Sequence, residues 1–153
     1  MKSPNTFKIE NRLKNTPVGK GGLTRGEAIE AAVLQIEMVR APTLAHIDAA
    51  LATIALMREG MQAGPNPGAL SRMYDAANQI VATAALFDLR ELGEAAYCLC
   101  ELVSRFQAGG KFNLKLIEVH TDGLRLLREP DSHSAAHRQA VLVGLNQVAA
   151  SVA

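Results

Sequence analysis

The chain reads as an all-α protein: an antiparallel up-and-down bundle of five to six helices behind a flexible N-terminal arm. Three observations predict this. Apolar residues recur at spacings of three and four through most of residues 24–150, and no two-residue alternation competes with them. The breaks between these stripes are short and rich in glycine and proline, so consecutive helices turn back on one another. Alanine and leucine dominate a 48% hydrophobic composition with only 4% aromatics, which favours helix and an aliphatic core. A length of 153 residues suits one domain, taken as residues 23–153 after an arm at 1–22.

The arm contains Pro4, Pro17, Gly19, Gly21 and Gly22, with at most a local turn at Phe7–Leu13. It carries five basic residues against Glu10, whereas the remainder holds 11 basic and 14 acidic residues. Gly19-Lys20-Gly21-Gly22 resembles a phosphate loop, but it lacks the full glycine-lysine-hydroxyl spacing and no strand precedes it. Without interleaved aromatics or clustered arginine, the arm's charge implies no nucleic-acid partner.

Thr24 and Glu27 have the spacing of a capping box, which satisfies free amides at a helix start. Ile29, Val33, Ile36 and Val39 follow, and Pro42 then ends or kinks the helix. A second stripe runs through Leu44, Ile47, Leu51, Ile54, Met57 and Met61, leaving open whether residues 24–62 form one kinked helix or two. Gly64 to Gly68 reads as a loop. Leu70, Met73, Ala77, Ile80, Ala84 and Phe87 form the next stripe, and Asp88 with Glu91 suggests a capped restart. Leu92, Ala96, Leu99, Val103 and Phe106 keep the rhythm of a buried seam until Gly109-Gly110 closes it. A helix from about Asn113 carries Leu116, Ile117, His120, Leu124 and Leu127 before Pro130, and the last begins near Ser134.

The segment Ala77 to Leu102 carries the functional argument. Histidine phosphotransfer domains present a histidine on one helix, typically within A-H-x-L-K-G, followed by a short turn and a second helix. Ala77-Asn78-Gln79-Ile80-Val81-Ala82-Thr83-Ala84 resembles the first half, and Phe87-Asp88-Leu89-Arg90-Glu91-Leu92 resembles the turn and second helix. The resemblance covers about a sixth of the chain. It implies a helical signalling module of the two-component and chemotaxis type, docking a response-regulator receiver domain or a histidine kinase. The partner-binding candidates it implies are Asn78, Val81, Ala82 and Thr83. Asn78 stands where the family has its histidine, Val81 where it has lysine and Ala82 where it has glycine. An amide is no substitute for a nucleophilic imidazole, so the expected protein is a non-catalytic interaction module without cofactors.

Two alternatives accompany that reading. His120, with Asp122 and Arg125 close in sequence, is a candidate phosphoacceptor of an active phosphotransfer protein, although its spacing places it on an apolar face. A structural homodimer would bury surplus apolar stripes between subunits. His133 and His137, four apart, form only a weak metal pair without a third ligand. His46 and Asp48 fall on different sides of a helix and make no dyad. Cys98 and Cys100, two apart on a helix, face different directions and act as small apolar thiols. With no long apolar run and no secretory pattern, no membrane insertion and a cytoplasmic location are expected.

Overall fold

The computed structural model describes residues 23–129 and 134–150. The expected arm at 1–22, with its turn and glycine-lysine run, and His133 lie outside the described residues. Five α-helices follow in order: α1 (Arg25–Glu59), α2 (Pro67–Ala84), α3 (Arg90–Gln107), α4 (Leu114–Leu127) and α5 (Ala135–Ala150), with a 3-10 turn at Ala85–Phe87 between α2 and α3. No strand occurs among the described residues, and none of these helices is long and apolar enough to cross a membrane. The chain divides into two units, Met1–Glu37 and Met38–Ala153.

In the first unit, the capping box forms as the sequence predicts. The Thr24 amide donates to Glu27 Oε2 at 2.7 Å, and the Glu27 amide donates to Thr24 Oγ1 at 3.3 Å. These bonds hold the Glu27 carboxyl below its ordinary pKa, with the backbone bond the larger cause. Every residue from 23 to 37 is exposed.

In the second unit, Pro42 sits inside α1 without ending it. The helix loses one amide donor there, and the Thr43 hydroxyl bonds back to the Val39 carbonyl at 2.7 Å. From Met38 onward α1 joins a bundle whose directions can be read from cross-helix pairs. Asp48 on α1 meets Arg128 just past α4, and Arg58 meets Asp122, so rising numbers on one match falling numbers on the other. Arg40 lies 5.6 Å from the centroid of the Phe87 ring, while Met57 and Ala69 line one groove at the opposite end of the α1–α2 pair. Cys100 approaches the Tyr74 carbonyl and Gly93 approaches Ala84, which makes α2 and α3 antiparallel. Glu91, Cys98 and Arg105 on α3 meet Arg138, Asn146 and Ala149 on α5 in rising order. Those two helices therefore run parallel, as the first and third members of an up-down-up series must. The bundle is up-and-down throughout.

The core is aliphatic. Ile47, Ile54, Met61, Met73, Ile80, Leu92, Leu99, Leu102, Ile117, Leu124 and Leu127 are fully buried. Small residues set the helix spacing. A Cβ on Gly93 would lie 3.2 Å from the Ala84 Cβ, and one on Gly123 would lie 2.8 Å from Leu145 Cδ1. Close backbone approach at these points lets short aliphatic side chains pack against one another.

The helix ends follow local chemistry, with two corrections. Asn66 caps α2 by accepting from the Ala69 amide at 3.1 Å, and Pro67 takes the first turn, so the loop from Gly64 is shorter than the sequence suggests. Asn113 caps α4 through the Lys115 amide at 3.0 Å. Gly109, at φ 92°, closes α3, and the Gly110 amide returns to the Arg105 carbonyl at 2.9 Å. Asp88, however, does not cap α3. It adopts the left-handed conformation at φ 57°, and Leu89 precedes α3 with no side-chain cap. The Leu89 amide instead reaches back to the Ala84 carbonyl at 3.1 Å, and its side chain is buried. Asp88 thus terminates the preceding helix. Aspartate tolerates that backbone conformation better than most residues do.

Candidate functional site

The helical repeat of α2 sets Asn78, Val81 and Ala82 on one side of that helix, next to its antiparallel neighbour α3. Asn78 and Ala82 are exposed one turn apart on α2, and Val81 is half-buried beside them. Val81 and Ala85 form one wall of a groove of about 400 Å³. Arg90, Gly93, Glu94, Tyr97 and Cys98 of α3 form the other wall, and Asn146 of α5 contributes its remaining edge. Gly93 leaves this groove without a side chain where α3 crosses close to α2. Tyr97 is 57% exposed, which gives the face a large ring open to a partner.

The polar groups around the groove are mostly satisfied within it. Arg90 Nε donates to Glu94 Oε1 at 2.7 Å, an exposed pair one helical turn apart. The Tyr97 hydroxyl donates to Glu101 Oε1 at 3.3 Å, and the nearby carboxylate raises the phenol pKa. Cys98 Sγ donates to Asn146 Oδ1 at 2.9 Å, tying α5 to the groove wall. Burial, followed by the Glu101 and Glu94 charges, pushes the Cys98 thiol up. Thr83, the remaining candidate, turns its hydroxyl into its own helix, donating to the Gln79 carbonyl at 2.8 Å. Thr83 therefore offers a partner a methyl group and little hydrogen-bonding capacity.

His120 lies elsewhere, on α4, and is fully buried. Its Nδ1 is 2.7 Å from the Leu116 carbonyl, which fixes that nitrogen as the protonated donor. Nε2 is then a bare acceptor, buried without a hydrogen-bond partner. Burial lowers the imidazole pKa, and the Leu116 bond only partly opposes that shift. In this conformation neither ring nitrogen is open to a phosphoryl donor. Asp122 points away to Arg58 at 3.3 Å rather than to His120. His137 is exposed, its amide accepted by the Ser134 hydroxyl at 3.2 Å. Among the described residues no group of three His, Cys, Asp or Glu side chains converges as a metal site would require.

Sequence reasoning did not single out Asn146 or Tyr97 as groove residues. Asn146 comes from a helix 48 residues beyond Cys98 and reaches the face only because α3 and α5 run parallel. Tyr97 is exposed because it falls opposite the seam of α3, a placement that periodicity gives, though periodicity does not mark it as a contact residue. The chain matches no family model, no curated protein and no solved structure.

Proposed function

We propose that the chain is a non-catalytic docking module of a phosphotransfer-type signalling system, binding a partner across the exposed α2–α3 face. The observation that carries the reading is the placement of Asn78 and Ala82 in the open, beside a groove walled by Val81, Ala85, Gly93 and Tyr97. A phosphotransfer domain offers its partner a histidine at such a mid-helix position, and an asparagine there keeps the shape while removing the nucleophile. Support also comes from the antiparallel helix pair joined by a tight turn, the arrangement that the resemblance implies. A receiver domain is the partner class named first, with a histidine kinase as the other protein of the same relay.

The test is binding without chemistry. A receiver domain from the same organism, phosphorylated with a small-molecule phosphodonor, should be retained by the immobilised chain while no phosphate appears on Asn78 by mass spectrometry. Ala82→Arg places a long cation on the face at an exposed helical position and should abolish retention with the fold intact. Retention that is unaffected by Ala82→Arg, or failure across all receiver and kinase domains of the organism, would reject the proposal.

A further inference from the structure

We propose that residues 25–37 of α1 form a parallel self-association seam with the same residues of a second copy of this chain. The helix there is anchored by its own capping box, yet Ile29, Val33, Leu34 and Ile36 are each more than half exposed. A single exposed leucine is ordinary, whereas Ile29, Val33 and Ile36 fall on one side of the helix and together form a face built to be covered.

The spacing says what kind of surface covers it. Ile29, Val33 and Ile36 follow a four-then-three rhythm, which is the seam of a coiled coil between like helices. The charges choose the orientation. In a parallel, in-register pair, Arg25 flanks the seam five residues before Glu30 of the other copy, the spacing at which interhelical ion pairs form. An antiparallel pair would instead set Glu30 towards Glu37 of the other copy. Neither Arg25 nor Glu30 has an ion-pair partner among the described residues, so both are available for this role. An anionic lipid surface is a poorer match, because Glu27, Glu30 and Glu37 make the polar side of this helix acidic where membrane-lying helices carry lysine and arginine. The seam does not involve the α2–α3 face, so it can fail or hold independently of the docking proposal.

Sedimentation equilibrium on the full chain tests the idea. The expected result is an apparent mass at least twice the 16.3 kDa of one chain. The double variant Val33→Glu/Ile36→Glu should return it to a single chain, with helical circular dichroism retained as proof of folding. Ile29→Cys should give a disulfide-linked dimer under mild oxidation, since only the parallel register brings Ile29 opposite itself. Arg25→Glu should weaken association, and adding Glu30→Arg should restore it. A single-chain mass at the highest attainable concentration, with or without binding to phosphatidylserine vesicles, would overturn the proposal. So would an oligomer that survives the double glutamate variant, or an oligomer in which Ile29→Cys does not cross-link.

Discussion

Replacing His120 with leucine should stabilise the protein and flatten its response to acid. The Nε2 atom is buried with no partner, and an unsatisfied buried polar group costs about 1–3 kcal/mol. Leucine removes that cost at similar volume, and it also removes the Nδ1 bond to the Leu116 carbonyl, which contributes about 1 kcal/mol. The expected net gain at neutral pH is about 1 kcal/mol, or roughly 2–4 °C in Tm for a chain of this size. Acid widens the difference. Because burial holds the folded imidazole below its ordinary value of 6.5, the unfolded chain takes up a proton first as the pH falls. The wild-type contribution is complete above pH 6.5 and is lost as the pH drops from there towards the lower folded value, at no more than about 1.4 kcal/mol per pH unit. Urea unfolding of both proteins at about pH 7.5 and about pH 5.5 measures this directly, because acid effects on the carboxylates cancel in the difference. A gap between the two proteins that does not widen in acid, or a leucine variant less stable at both pH values, would refute the reasoning.

Other substitutions probe the packing and the thiols. Gly123→Val should destabilise by about 1–3 kcal/mol, because even a Cβ there lies 2.8 Å from Leu145 Cδ1 and 3.1 Å from its Cδ2, and thermal unfolding will register it. Asp48→Ala breaks the two bonds from Arg128, at 2.7 and 3.1 Å, but the aspartate is half in solvent; a loss of about 1 kcal/mol or less in urea titration is expected, shrinking with added salt. Burial pushes the Cys100 thiol up to about 11, so at mildly alkaline pH it holds about a hundredfold less thiolate than an ordinary cysteine. Cys98 and Cys100 should accordingly react slowly with a chromogenic disulfide reagent until urea unfolds the chain.

Much of the bundle was legible because its rules are local. The Thr24–Glu27 box and the Gly109 closure each depend on residues within one turn, and each forms as the sequence indicates. The buried seam of α3 likewise follows from periodicity, with Leu92, Ala96, Leu99 and Val103 all inside. Asp88 misled because one residue can serve either of two adjoining helices, and the closure of the 3-10 turn after α2 claimed it. Pro42 was ambiguous for a different reason: a proline removes one bond, and a helix of 35 residues absorbs that loss. The stripe at Ile29, Val33 and Ile36 resembled a core stripe and is exposed, because periodicity reports a face and not what covers it. Of the site, Asn78, Val81 and Ala82 were legible as neighbours on α2. The wall supplied by Tyr97 and Asn146 needed the helix order in space, which no local pattern encodes.

The claim that the α2–α3 face docks a signalling partner is tested most directly by residue-resolved NMR of the labelled chain titrated with a receiver domain. The predicted result is a cluster of shifted amides at Asn78, Ala82, Ala85 and Tyr97, with His120 and its neighbours on α4 unmoved. Shifts centred on α4 or α5, or a titration that moves no amide on α2 and α3, would contradict it.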